Sequence, residues 1–172
     1  MNYKEIRLRA VEPEDLENLY QWENNPDYWL VSNIITPYSK YILKKYIENA
    51  HKTIFETGQL RLMIDHIPTG KTIGTIDLSD YDPFHLRAGI GILIAEEEYR
   101  RKGYASMALE CLIDYSFNTL RLHQLYCNVL SNNCESLDLF RKIGFTESGI
   151  KKDWVKTKDG YIDEHILQLI NE

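Results

Sequence analysis

Between residues 88 and 118 the apolar residues change period, and the change falls on a glycine behind three basic residues. Ala88, Ile90, Ile92 and Ile94 repeat every second position, as in a strand with one buried face. Ala105, Ala108, Leu109, Leu112, Ile113 and Ser116 recur at helical spacing, which predicts an amphipathic helix from Gly103 to about Asn118. Arg100-Arg101-Lys102-Gly103-Tyr104-Ala105 joins the two. A strand–turn–helix unit of this kind gathers free backbone N–H groups and the positive end of a helix dipole at one spot, which suits a pyrophosphate. Gly103 allows close backbone approach, small Ala105 keeps the first turn open, and the three cations complement phosphate charge. On these residues alone a plain connection with a solvated basic turn is an equal reading.

The rest of the chain surrounds that unit with strands and helices. Ile6 and Leu8 alternate with Arg7 and Arg9, predicting a strand, and Pro13-Glu14-Asp15 opens a helix with Leu16, Leu19 and Tyr20 as its stripe. Thr36-Pro37 reads as a second cap, starting a helix through Ile42, Tyr46, Ala50, Ile54 and Phe55 to Gly58. Strands follow at Leu60–Ile64 and Thr72–Leu78, with turns at Pro68–Lys71 and Asp80–Pro83, so an antiparallel meander runs into the Ala88–Ile94 strand. Leu125, Cys127 and Val129 form another strand. Asn132 with Glu135 resembles a capping box for a helix ending at Gly144, and two strands, near Phe145–Lys151 and Tyr161–Ile170, close the chain. This predicts one α/β domain, residues 1–172, with a mixed, mostly antiparallel sheet flanked by helices.

Several function classes are excluded by what the sequence lacks. The formal net charge is −6 with no long Lys/Arg run, which disfavours nucleic acid. Three cysteines without a C-x-x-C spacing argue against a disulfide framework and a structural zinc site. The five histidines form no ligand motif, so no metal is expected. The opening Met-Asn-Tyr-Lys-Glu has no apolar core of a signal peptide, and the longest apolar run, Gly89–Ala95, is too short to span a bilayer; a cytoplasmic protein is expected. Gly70-Lys71-Thr72 imitates the end of a P-loop, but Asp65 stands where its first glycine belongs, so the triplet reads as a hairpin turn. There is no G-x-S-x-G elbow of a hydrolase.

Arg-x-x-Gly-x-Ala behind an apolar strand, followed by Asn133, Leu137, Phe140-Arg141 and Gly144-Phe145, resembles the GNAT-type N-acetyltransferases. The resemblance covers nearly the whole chain, and the order of elements is similar too. Within that superfamily, Tyr99–Phe117, Leu125-Tyr126 and Phe140–Phe145 are most similar to the branch holding ribosomal-protein and spermidine N-acetyltransferases. The resemblance implies the GNAT acyl-CoA N-acyltransferase fold and transfer of an acetyl group from acetyl-CoA to an amine. It assigns the pyrophosphate to the backbone of Arg100, Arg101, Lys102, Gly103, Tyr104 and Ala105, and the pantetheine arm to the edge of Ile92, Leu93 and Ile94. It also brings Asn133 and Phe140 to the cofactor, although Asn133 reads equally as a helix cap. Pairing through the C-terminal strands, as a homodimer or higher homo-oligomer, is implied as well.

An aliphatic ammonium with a pKa near 10 must lose a proton before it attacks. Asp77 is the candidate base, because spermidine acetyltransferases carry a substrate-facing acid on the similar strand; Asp80 and Asp82 are weaker candidates in a turn. Trp29, Asp77 and Asn128 are candidate acceptor-binding residues, with Trp22 and Tyr28 as further aromatics that serve equally as core. This chain departs from the pattern in four places. Phe140 replaces the tyrosine that protonates the leaving thiolate in many relatives, and Asn128 replaces the glutamate of ribosomal-protein alanine acetyltransferases. Gly89 stands at a position that is acidic in spermidine enzymes, and Leu30–Ile34 lacks their acidic pair. Cys134 and Ser136 are substitute proton donors to consider. The expected function is acetyl transfer to a primary amine of a small, polyamine-like cation. The alternatives are a peptide N-terminus as acceptor, or a non-catalytic acetyl-CoA-binding module.

Overall fold

The computed structural model describes the backbone of residues 1–32 and 36–172. Among them, eight strands form one sheet in the order β1-β2-β3-β4-β5-β6-β8-β7. The strands are β1 (Asn2–Tyr3), β2 (Ile6–Ala10), β3 (Leu60–His66), β4 (Lys71–Asp82), β5 (Arg87–Ile94), β6 (Gln124–Leu130), β7 (Thr146–Thr157) and β8 (Gly160–Ile170). Six α-helices accompany them: α1 (Leu16–Glu23), α2 (Pro26–Ser32), α3 (Lys40–Glu48), α4 (Ile54–Thr57), α5 (Tyr104–Asn118) and α6 (Cys134–Ile143). Every strand pair is antiparallel except β5 with β6, which are parallel because α5 crosses between them. The mixed, mostly antiparallel α/β architecture is the expected one.

Strand alternation sorts the side chains onto two faces. Ile6, Leu8, Leu62, Ile64, Ile76, Leu78, Ala88 and Ile90 pack on one face with Ala108, Leu109 and Leu112 of α5. Met63 and Leu93 point the other way, into a second cluster with Leu19 and Trp22 of α1 and Leu43 of α3. A bulge helps set this arrangement: Ile64 pairs with Gly74 and Asp65 with Thr72, leaving Ile73 as the extra residue. Gly74 has no alternative there, since a Cβ would lie 2.0 Å from the Leu93 carbonyl oxygen.

Several boundaries differ from expectation, each for a local reason. The second helix is capped by Ser39, whose hydroxyl accepts from the Ile42 amide, and not by Thr36-Pro37. It ends at Glu48, and Thr53 with Glu56 forms a separate capping box for α4, which stops at left-handed Gly58. α2 carries no apolar period to announce it. The cap of α6 is Asn133, one residue beyond Asn132, because Asn133 Oδ1 accepts from the Ser136 amide. Asp80 is no turn residue: β4 runs on to Asp82 through an irregular stretch where Asp80 has φ +48°. The expected absence of acids over Leu30–Ile34 falls partly outside the described residues.

Candidate active site

β5 and β6 begin side by side and then part. Arg87, Ala88 and Gly89 pair with Gln124, Leu125 and Tyr126, and beyond that point no partner strand follows β5 on this edge among the described residues. The parting opens a cleft of about 1590 Å³, larger than the roughly 300–1,000 Å³ typical of a single small-molecule pocket. It has room for a long donor and a second reactant. Ile92, Leu93, Ile94, Asn128, Asn133 and Phe140 all line it.

At one end of the cleft lies the start of α5. Gly103 caps it with φ +88°, behind Arg101 at φ +59°, a backbone shape that turns successive amides toward one side. The first helical hydrogen bond is Met107 N–H to the Gly103 carbonyl at 3.1 Å. The amides of residues 101–106 therefore have no acceptor among the described residues, and the helix dipole adds positive potential beside them. Arg100, Arg101, Gly103, Tyr104 and Ala105 line this end.

The basic side chains at this end have protein neighbours of their own. Arg100 turns back onto the end of β5: Nε donates to the Ile94 carbonyl at 2.9 Å and Nη2 to the Ala95 carbonyl at 3.1 Å and to the Tyr28 hydroxyl. It braces the turn that follows β5. Arg101 crosses the mouth to Glu135 of α6. Lys102 does not line the cleft; its ammonium lies 5.8 Å from the Tyr99 ring centre. The Tyr104 hydroxyl points away, 3.0 Å from His66 Nε2. The donors left without a partner at this end are the backbone amides of residues 101–106.

Along the cleft wall, Asn133 Oδ1 is used as a cap, while its Nδ2 donates to no protein atom among the described residues. Phe140 is buried edge-on against Phe145 at 5.1 Å and offers no proton. On β6, burial pushes the Cys127 thiol up to about 12, so it stays protonated and unreactive near neutral pH. Cys134 is exposed and Ser136 half-buried.

The opposite end is built on the face of Met63 and Leu93. Asp77 of β4 lies opposite Arg61 of β3, and both line the cleft. Arg61 Nε donates to Asp77 Oδ1 at 2.7 Å, Nη2 donates to Oδ2 at 3.2 Å, and Nη1 donates to Glu23 at the end of α1. Burial works against the charge on Arg61, but Asp77 and Glu23 outweigh it and hold the guanidinium firmly protonated. It also stands 5.8 Å from the Tyr46 ring centre. Beside Asp77 the floor is glycine, with Gly91 opposite Asp77 and Gly89 opposite Ser79. A Cβ on Gly91 would meet nothing within 4 Å, so space lies open next to the carboxylate. A Cβ on Gly89 would come within 2.8 Å of Ser79 Oγ, so a side chain there needs the serine hydroxyl to rotate away. Trp29 Nε1 donates to the Glu23 carbonyl at 2.9 Å, setting its indole on the wall.

Asp77, Trp29 and Asn128 thus share one cleft, as do the residues expected at the cofactor apart from Lys102. Sequence reasoning missed Arg61, Glu23 and Tyr46. The one available signal was Arg61 itself, a cation on the same strand face as Met63. Among the described residues no group of three His, Cys, Asp or Glu side chains is placed to hold a metal ion, and no helix is long and apolar enough to cross a membrane.

The model of the Acetyltransferase (GNAT) domain family matches residues 5–146. The chain is 30% identical over 147 residues to the spermidine N(1)-acetyltransferase of Escherichia coli (strain K12), covering 84% of this chain and 74% of that one. Its fold is similar to a crystal structure of spermidine N-acetyltransferase from Vibrio cholerae in complex with CoA and spermine. The TM-score there is 0.86 and the identity 26%, covering 97% of this chain and 96% of the other. A dodecameric structure of the Vibrio cholerae enzyme matches with TM-score 0.80 and 28% identity, over 97% of this chain and 94% of the other.

Proposed function

This chain belongs to the GNAT acetyltransferase family, and we propose that it moves the acetyl group of acetyl-CoA onto the primary amine of a small cationic molecule. The observation that carries this reading is the parting of β5 from β6 after Gly89 and Tyr126. It joins a row of unpaired helix-start amides at one end to the Asp77 carboxylate at the other. Binding of CoA and spermine by the Vibrio cholerae relative supports the same two-ended use of the cleft.

The residues fit a CoA thioester. The amides of residues 101–106 suit the pyrophosphate, the open edge of β5 at Ile92 and Leu93 suits an amide-bearing arm, and Asn133 Nδ2 offers one more donor. An N–H on that edge is also the natural partner for the thioester oxygen as negative charge develops. Asp77 then holds and orients the acceptor amine. Both its oxygens already accept from Arg61, so its remaining lone pairs act mainly as a hydrogen-bond anchor, and water in the cleft carries the proton away. The amine nitrogen bonds to the carbonyl carbon as the C–S bond breaks, and the thiolate collects a proton from solvent. With Phe140 in place of a hydroxyl, that last step depends on the modest basicity of a thiolate, whose pKa is about 8.5.

A homo-oligomer accords with the dodecameric relative, and the long β7–β8 hairpin exposes Trp154 and Tyr161 for such packing.

The test is free-thiol release from acetyl-CoA across an amine panel, with CoA binding measured by calorimetry. Amine-dependent release bears the reading out. Tight CoA binding with no release for any amine leaves a binding module instead.

A further inference from the structure

We infer that the acceptor is a monoamine with an apolar or aromatic body, not a polyamine, and that Arg61 makes this selection. The inference rests on the proposed acetyl transfer and specifies its acceptor. Glu23 and Asp77 face the acceptor end of the cleft, and two free carboxylates there would attract a chain of several ammonium groups. Arg61 lies between them and bonds to both, so the trio carries one net negative charge. One negative charge matches one ammonium. A second ammonium at the same place would meet the guanidinium, which cannot lose its proton.

The lining drawn from α2, α3 and the segment before α3 is largely apolar. Leu30, Tyr38 and Ile42 line the same cleft as the trio and are 39%, 38% and 49% exposed, a set of large side chains left uncovered. Trp29 and Tyr46 line it too. Asn24 clamps Tyr38 in place, its Oδ1 accepting from the Tyr38 amide at 2.7 Å and its Nδ2 donating to the Tyr38 carbonyl at 3.0 Å. Aromatic and aliphatic side chains around this partly buried trio, with Asp80 as a further acid farther along the cleft, favour an amine attached to an apolar group, since burial of that group adds affinity at roughly 25 cal/mol per Å².

The experiment compares phenethylamine, one ammonium on an aryl body, with spermidine, three ammoniums on a flexible chain, by thiol release from acetyl-CoA. The wild-type protein is expected to favour phenethylamine in kcat/KM by about tenfold or more. Arg61→Met frees both acids, and the preference is expected to move toward spermidine by at least about tenfold. Should that variant fold poorly, Glu23→Gln serves instead: the trio becomes neutral, so KM rises more for spermidine than for phenethylamine and the preference for phenethylamine widens, while CoA binding stays within about twofold. A wild-type preference for spermidine overturns this inference and leaves acetyl transfer standing. So does an amine preference that both variants leave unchanged. Silence with every amine overturns acetyl transfer and this inference together.

Discussion

Arg61 and Asp77 stand opposite each other in register on β3 and β4, and the guanidinium of one grips both carboxylate oxygens of the other, at 2.7 and 3.2 Å. The pair is about three-quarters shielded from solvent, with side chains 26% and 28% exposed, so water screens it only in part. Removing the charge on Asp77 weakens its hold on an ammonium and leaves Arg61 to Glu23 alone. Asp77→Asn is expected to lower kcat/KM for the amine by about 10- to 100-fold, the worth of a charged hydrogen bond, and to leave the CoA dissociation constant within about twofold. Steady-state kinetics beside calorimetry checks this. Full activity in the variant would remove Asp77 from the site.

Gly103 sets the geometry of the cofactor end. A Cβ there would touch nothing within 4 Å, so the requirement is purely one of backbone, φ +88°. Gly103→Ala adds roughly 1–2 kcal/mol of left-handed strain. Turning the amides away relieves that strain, and CoA affinity is expected to fall about tenfold. Calorimetric titration with CoA reads it.

Phe140 lines the cleft against Phe145. Phe140→Tyr adds a hydroxyl at the wall and with it a proton for the departing thiolate. A rise in kcat of about tenfold is expected, below the 10²–10⁴ of a fully positioned acid, because nothing else there orients the hydroxyl. Stopped-flow thiol release measures it, and an unchanged kcat would show that thiolate protonation does not limit turnover.

Away from the cleft, Asp65 anchors β2 to β3 and β4. It is buried, which opposes its charge, but hydrogen bonds from Arg7, Arg9 and Thr72 outweigh burial and hold its carboxyl below the usual 3.8. A carboxyl depressed in the folded state contributes stability that is present above its unfolded pKa and lost as pH falls through the folded value. Asp65→Asn is expected to cost about 3 kcal/mol near neutral pH, a fall in thermal midpoint on the order of 10 °C. The gap from wild type should narrow as pH drops from about 5 to 3. Thermal melts across that range test both statements.

Short-range signals carried most of the fold. The period change at Gly103, the alternation of Ala88–Ile94 and the glycine stops at residues 58 and 144 all appear in the structure where the chain placed them. Each depends on a few neighbouring residues, since strand faces, helix stripes and caps are local properties of the backbone. The unpaired amides at the start of α5 were legible for the same reason: they belong to one turn of one helix.

What the cleft does with charge was decided elsewhere. Glu23, Arg61 and Asp77 come from α1, β3 and β4, and only the register between β3 and β4 and the seat of α1 on that face bring them together. Arg100 shows the same limit, since a cation beside a glycine reads as a phosphate ligand until the fold presents the Ile94 and Ala95 carbonyls to it. Periodicity and caps follow from sterics and hydrogen bonds within a few residues. An ion pair between segments 16 or 38 residues apart exists only after the sheet has closed and excluded the water that would otherwise separate its charges.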